Sequence, residues 1–261
     1  GPNRKANPVH LLLSNDDGVD AEGLKRLRDA LRSARPDWKI TVVAPHSERS
    51  AASHALTLTQ PLRIEERGER IFAVTGTPTD CVLVAMNVVL ADDPPDVVLS
   101  GINHGPNMGE DVHYSGTVAA AFEGHVLGVP AVALSLASRE IPLRFEAAAH
   151  FASEILPQWI EMGLTSDTLL NVNIPGGAPS DVRGIRTCAL GSRKYTDVVV
   201  RKEDPRGRAY FWIAGHHQAI MDLPGTDLVL SADGWITVTP ILVDLTDHRR
   251  LEGLGGLEQT W

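Results

Sequence analysis

The sequence predicts an α/β fold, a mostly parallel sheet covered by helices with a β-hairpin arm appended, and three observations carry that expectation. The first is the run Val9-His10-Leu11-Leu12-Leu13-Ser14, apolar over nearly its whole length; strands buried on both faces read as continuous apolar runs rather than alternating ones. The second is the order of the next two segments. Leu24, Leu27 and Leu31 share one helical face with Lys25, Arg26 and Arg28 outside, and a β-branched run, Lys39-Ile40-Thr41-Val42-Val43-Ala44-Pro45, comes next. Strand, helix, strand in that order is the pattern of a parallel sheet. The third is a change of texture after about Arg183, where α-β alternation gives way to short β-rich segments.

Beyond the first β-α-β unit, a polar loop from His46 to His54 precedes two alternating stretches, Ala55 to Glu65 and Arg70 to Val74. Joined by Glu66-Arg67-Gly68-Glu69, they read as a hairpin whose charges form a solvated turn. Thr75-Gly76-Thr77-Pro78-Thr79-Asp80 reads as a helix start, with Thr at the N-cap, Pro in the first turn and Asp close behind. That helix runs to about Leu90, and Asp92-Asp93-Pro94-Pro95 ends it. Asp96-Val97-Val98-Leu99 is a buried strand, Ser115 to about Leu127 a helix, Ala131 to Leu136 a strand and Phe145 to Met162 a long amphipathic helix; Leu169 to Pro175 closes the series. Ile185 to Leu190, Asp197 to Arg201, Ala209 to Ala214 and Trp235 to Leu245 then supply β-rich segments with no α-β alternation. Their turns fall at Asp204-Pro205-Arg206-Gly207 and Ala232-Asp233-Gly234, and a short polar tail comes after Asp247. Phe211, Trp212 and Ile213 have no core of their own in such an arm, so they dock on another subunit or fold back on the core. Residues 9–185 are thus expected to form the core and 186–261 the arm and tail of the same single domain. Residues 1–8 read as a flexible N-terminus opening on Gly1-Pro2, a remnant of tag cleavage.

One domain with an appendage suits 261 residues at 43% hydrophobic content. The net charge, 24 − 33 = −9, argues against nucleic-acid or membrane-surface binding and leaves a small anionic ligand open. Cys81 and Cys188 lie in apolar runs far apart, the pattern of buried free thiols in a reducing compartment. With no signal peptide and no bilayer-length apolar run, a cytoplasmic location is expected.

The stretch most unlike ordinary scaffold is Ser100-Gly101-Ile102-Asn103 through Ser115-Gly116-Thr117, which leaves a buried strand and opens an Ala-rich helix. A loop at the carboxyl end of a strand is where open α/β sheets bind ligands, and Ser115-Gly116-Thr117 delivers free N–H groups at a helix N-terminus, which favours an anion. Just past the first strand stand Asp16 and Asp17. By spacing alone, Asn15-Asp16-Asp17-Gly18 is foremost a turn with Asx capping. If the two carboxylates converge in a dry cleft they need a cation or a shared proton, and oxygen-rich surroundings favour Mg²⁺, Mn²⁺ or Ca²⁺ over zinc. Ser50 and Asn103 offer neutral oxygens to such an ion, although Ser50 and Ser53 are read more simply as loop hydrogen-bonders. His54 is a general acid or a hydrogen-bonded loop residue. His104, His113, His125, His216 and His217 carry no assigned role; the last two, adjacent in a strand, face opposite sides and cannot chelate together.

Asn15-Asp16-Asp17-Gly18, Ala44-Pro45 with Glu48-Arg49-Ser50, Gly76-Thr77-Pro78-Thr79-Asp80-Cys81 and the Ser100 to Thr117 stretch together resemble the SurE family of stationary-phase survival proteins, acid-phosphatase-like nucleotidases. Asp204-Pro205-Arg206-Gly207-Arg208, Gly225-Thr226-Asp227 and Ile236-Thr237-Val238-Thr239-Pro240 extend the likeness, which covers Val9 to Thr246 in order and spacing. The resemblance implies a Rossmann-like core, with the hairpin arm and C-terminal segment exchanged between subunits of a homodimer that in some members pairs into a tetramer. It implies a phosphomonoesterase acting on nucleoside 5′- and 3′-monophosphates, and on polyphosphate in some members, with one Mg²⁺ or Mn²⁺ per subunit. It places metal ligands on Asp16, Asp17, Ser50 and Asn103, and phosphate-binding positions on Asn107, Ser115, Gly116 and Thr117.

The chemistry expected is attack on phosphorus by a metal-activated water, with Asp16 and Asp17 as the catalytic carboxylates. Direct attack by an aspartate is the alternative, disfavoured because a carboxylate shared with a metal is a poorer nucleophile. A rival class is a non-catalytic metal- or nucleotide-binding protein or a receiver-like signalling module, which also carries paired acids after its first strand. It needs an acceptor Asp and a later Lys where this chain has Asn103 and Ser135.

Overall fold

The computed structural model describes residues 8–196, 199–213, 216–220 and 223–257. The expected N-terminal remnant at 1–7, parts of two arm strands (Asp197, Val198 and Ala214) and the last four residues of the tail lie outside the described residues.

The first β-α-β unit is β1 (His10–Ser14), α1 (Glu22–Ala34) and β2 (Lys39–Pro45), and a hairpin comes after it, β3 (Ile64–Gly68) with β4 (Ile71–Val74). Helix α2 (Pro78–Val84), continued by a wide turn at Ala85–Val89, leads into β5 (Val97–Asn103), a 3₁₀ turn at Gly109–His113 and α3 (Gly116–Val126). Strand β6 (Ala131–Leu136) precedes α4 (Glu146–His150), a wide turn at Phe151–Ile155, α5 (Leu156–Met162) and β7 (Leu169–Ile174). The remainder comprises β8 (Ile185–Thr187), β9 (Arg193–Thr196), β10 (Val199–Glu203), β11 (Ala209–Ile213), β12 (His216–Ile220), α6 (Asp227–Ala232), β13 (Ile236–Pro240) and α7 (His248–Leu251).

The main sheet has nine strands in the order β3-β4-β2-β1-β5-β6-β7-β13-β8. From β4 to β7 every pairing is parallel, while β3 and β13 run antiparallel to β4 and β7. Both faces are covered, as continuous apolar strands require. Leu11, Leu13, Val42, Ala44, Val97 and Leu99 pack under α1 and the α4–α5 helix; Leu12, Val43 and Val98 face the α2–α3 side. The chain leaves β1 toward β2 on one side and later returns to set β5 on the other, so the strand order reverses between β1 and β5. In an open α/β sheet that reversal leaves a crevice at the carboxyl ends of the two strands.

Several elements differ from expectation. The hairpin's first strand begins at Ile64 rather than Ala55. The preceding segment is drawn over the start of α2 instead, where Ala55 accepts the Thr77 hydroxyl at 2.7 Å and Thr57 N–H donates to Asp80 at 3.0 Å. Helix-strand alternation does continue after Arg183, because α6 precedes β13; at six residues the helix is too short to show a periodic pattern. β8 stops at Thr187, and β13 stops at Pro240 rather than Leu245, with Leu242 and Leu245 then exposed outside the sheet. The arm's ladders are β10 with β11 and β9 with β12, both antiparallel.

Candidate active site

At the β1–β5 crevice, Asp16, Asp17, Ser50, Asn103, Asn107 and Ser115 line one cavity of about 680 Å³. Asp16 and Asp17 leave β1, Asn103 ends β5, and Ser50 is brought in by the loop after β2, where Arg49 N–H donates to the Asp16 carbonyl at 2.7 Å. Asn15 forms the expected Asx turn, its side chain bonded to both the N–H and the carbonyl of Gly18. The turn and the paired carboxylates are therefore not alternatives: the turn is what aims the two aspartates at one place.

Asp16 is buried, 5% exposed, and its carboxylate accepts a hydrogen bond from the Thr117 hydroxyl. Burial pushes its carboxyl from an ordinary 3.8 up to about 6; the Thr117 bond pulls down and the neighbouring Asp17 charge pushes up. Burial also raises Asp17, opposed by His104 and reinforced by Glu48. Asp17 accepts the His104 N–H at 3.1 Å, and the His104 ring reaches within 3.8 Å of its other oxygen. Because His104 Nε2 accepts the Gly23 N–H at 3.2 Å, the ring's proton lies on Nδ1, facing Asp17. His104, given no role from sequence, thus orients one of the two carboxylates.

Asn107 is fixed from three sides. Its N–H donates to Asn173 Oδ1 at 2.9 Å, its amide donates to Ser135 at 2.8 Å, and its carbonyl accepts from both Asn171 and Asn173. The N-cap of α3 is Ser115, whose hydroxyl oxygen accepts the Val118 N–H at 3.1 Å and keeps its own proton for another partner. Gly116 owes its identity to a close approach. A Cβ there would stand 2.8 Å from Asp16 Cβ and 3.1 Å from Pro78, so the space of the missing side chain belongs to Asp16. Thr117, fully buried, turns its hydroxyl to Asp16 and lies 3.2 Å from Asn103 Oδ1; its backbone N–H also serves the Asp16 carboxylate, so Thr117 is committed to that carboxylate and does not line the cavity. Arg139, just beyond β6, brings a guanidinium to the same cavity; its place after a strand's carboxyl end was the signal that could have found it.

His54 is not part of this lining. It lies in a second, apolar cavity of about 430 Å³ that shares Ser115, and its ring is bonded at 2.7 Å to buried Glu123. His113 lines that second cavity too. The side chains of His216 and His217 lie outside what is described.

The donor set is chemically coherent. Two adjacent carboxylates are both driven toward protonation by burial, and among the described residues no cationic side chain pairs with Asp16. No cluster of three His, Cys, Asp or Glu suited to a metal occurs among the described residues. Any ion here would therefore be held by carboxylate, amide and hydroxyl oxygens, the ligands of a hard divalent cation. Ser50 donates to Glu48 at 2.6 Å and so keeps its lone pairs available.

Comparison with known proteins gives one consistent result. The family model described as Survival protein SurE matches residues 11–197. The protein named 5'-nucleotidase SurE from Methylococcus capsulatus is 49% identical over 247 residues, covering 95% of this chain and 96% of its own. Its namesake from Myxococcus xanthus is 48% identical, covering 95% and 93%. The crystal structure of the Sure protein from Aquifex aeolicus superposes with a TM-score of 0.84 at 39% identity, covering 96% of this chain and 100% of that one. With the crevice, the paired carboxylates and these matches in agreement, the chain belongs to the SurE family.

Proposed function

We propose that this chain is a divalent-metal-dependent phosphomonoesterase that hydrolyses nucleoside 5′- and 3′-monophosphates to nucleoside and phosphate. The observation that carries the reading is one cavity that demands a cation on one wall and offers anion-binding groups on the other. Asp16 and Asp17 form the first wall; Ser115 at the N-terminus of α3, Asn107 and Arg139 form the second. The relatives named 5'-nucleotidase support the substrate class.

Asp16, Asp17, Ser50 and Asn103 are the proposed ligands of a Mg²⁺ or Mn²⁺ ion. When bound, such an ion supplies charge neutralisation and a water acidified toward neutrality. The chain's own residues do the rest. The Ser115 hydroxyl and the backbone N–H of Gly116 hold phosphate oxygens where the helix dipole favours negative charge, with Thr117, expected from the resemblance to bind phosphate, holding Asp16 instead. Asn107, immobilised by Asn171, Asn173 and Ser135, fixes the phosphoryl group against rotation, which converts orientation into rate. Thr117 and His104 hold Asp16 and Asp17 in place as acceptors, and a carboxylate shared with an ion is a poorer nucleophile, which favours water over direct attack on phosphorus. The strand ends a receiver module would need are occupied by Asn103 and Ser135, paired across β5 and β6, which weighs against that reading.

The apolar arm surface of Val199, Phe211, Trp212 and Ile213, each at least 60% exposed, supports a homodimer joined through the arm, with exchange of the arm and C-terminal segment between subunits and a tetramer as a further assembly. Free thiols at Cys81 and Cys188 suit a reducing, cytoplasmic compartment. No helix among the described residues is long and apolar enough to cross a membrane.

The test is phosphate release from a panel of nucleoside monophosphates with Mg²⁺, Mn²⁺ or EDTA, wild type beside Asp17→Asn. Metal-dependent release that disappears in the variant is expected. No release from wild type with any ion would overturn the assignment.

A further inference from the structure

Gly225-Thr226-Asp227 has no place in the mechanism above, yet Asp227 is 0% exposed. A buried carboxylate is costly unless hydrogen-bonded. This one accepts backbone N–H groups from segments far apart in sequence: Oδ2 takes Gly109 at 2.9 Å, and Oδ1 takes Gly191 at 2.7 Å and Leu228 at 2.8 Å.

The two glycines mark what is being joined. Gly109 lies just after Asn107 and starts the 3₁₀ turn that leads to Ser115, so it belongs to the loop carrying the phosphate-facing groups. Gly191 lies at the root of the arm, immediately before Ser192 and β9. The Asp227 N–H donates to the Ala189 carbonyl at 2.9 Å, and the Ser192 hydroxyl donates to Glu110 at 2.7 Å, so the root is sewn to both Asp227 and the loop. The junction has no slack. A Cβ on Gly109 would stand 3.0 Å from the Gly191 carbonyl oxygen, and one on Gly191 would stand 2.6 Å from Leu228. Midway along the arm, where β11 ends opposite Val199, Ile213 joins the lining of the same cavity.

We infer that Asp227 is a positioning residue that couples the arm to the phosphate-binding loop, so that the seating of the arm sets the geometry in which substrate is held. The coupling rests on the phosphatase reading only for its effect on substrate; the mechanical link between Gly109 and Gly191 stands apart from it. Replacement of one carboxylate oxygen by an amide sets an N–H donor against backbone N–H donors and loosens whichever segment faces it.

The experiment compares wild type, Asp227→Asn and Ser192→Ala in two measurements: steady-state hydrolysis of adenosine 5′-monophosphate with Mn²⁺, and amide hydrogen exchange of the free protein. In Asp227→Asn, KM is expected to rise about tenfold with kcat changed less than about twofold, the mark of lost substrate positioning. Exchange is expected to quicken together at 108–112 and 190–192. Ser192→Ala, which leaves the buried carboxylate intact, should move KM and exchange at 108–112 in the same direction by a smaller factor. A purely structural role would lower the active fraction, and so kcat, at unchanged KM; that result overturns the proposal. So does faster exchange confined to 227–232, or Ser192→Ala indistinguishable from wild type in both measurements. Should wild type release no phosphate, the functional assignment fails while the exchange data still decide the coupling.

Discussion

Asp16 and Asp80 are both nearly inaccessible, 5% and 2% exposed, yet the fold treats them in opposite ways. Asp80 sits in the first turn of α2. Burial alone would raise its carboxyl, but the N–H groups of Thr57 at 3.0 Å and Thr77 at 2.8 Å outweigh burial and hold it below the usual carboxylate range. Thr77 returns a hydroxyl acceptor to the Asp80 N–H at 3.1 Å, completing a capping box. Asp16 receives the Thr117 hydroxyl, has Asp17 as a like-charged neighbour, and ends up raised to about 6. One carboxylate is complete in the protein alone. The other is left wanting positive charge, in the crevice where the strand order reverses, and that contrast separates a structural aspartate from a functional one.

The contrast can be broken most forcefully at Asp16. Asp16→Asn should lower metal-dependent phosphate release by about a thousandfold, since a charge aimed at the reacting centre is lost, while leaving the metal-free protein folded. Its stability should move the other way. A carboxyl raised from 3.8 to about 6 binds its proton more tightly folded than unfolded. Its share of stability is therefore fully present below pH 3.8 and lost as pH rises through about 6. The cost above that range is about 3 kcal/mol. Denaturant titrations of metal-free protein from pH 4 to pH 7.5 should show this decline in wild type and lose it in Asp16→Asn.

Asp80 should behave in mirror image. Asp80→Asn should destabilise by about 1–2 kcal/mol at neutral pH through the broken cap, with kcat/KM per folded molecule unchanged; its stabilisation should fade only as pH falls below the ordinary carboxylate range. A smaller effect belongs to Thr117→Val, which removes the hydroxyl from Asp16. Activity should fall about three- to tenfold, the size of a lost supporting hydrogen bond, and the Asp16 pKa should climb further, measurable by carboxyl NMR.

Much of this contrast was legible in the sequence and some was not. Continuous apolar strands gave the parallel sheet, and Thr77-Pro78 with Asp80 gave the α2 cap. Asp16, Asp17, Ser50, Asn103, Asn107 and Ser115 do share one cavity, because their loops all leave the carboxyl ends of neighbouring strands. Thr117 and Gly116 were expected as phosphate binders, while the structure packs both against Asp16 and outside the cavity lining: which way a hydroxyl turns depends on Asp16, a residue 101 positions away. Asn171 and Asn173 were read as plain strand, since an amide that immobilises Asn107 across the sheet has no local pattern. His104 carried no signal for the same reason, and α6 was too short to announce itself.

The role assigned to the Asp16–Asp17 pair is tested most simply by the thermal shift that Mn²⁺ produces at pH 7.5 in wild type, Asp16→Asn and Asp80→Asn. An ion bound only by the folded state adds about 2.7 kcal/mol at a hundred times its Kd. Wild type and Asp80→Asn are expected to rise in Tm together, each from its own baseline, while Asp16→Asn stays where it is. An equal rise in Asp16→Asn would contradict that role, because it would show that the buried carboxylate pair is not what holds the ion.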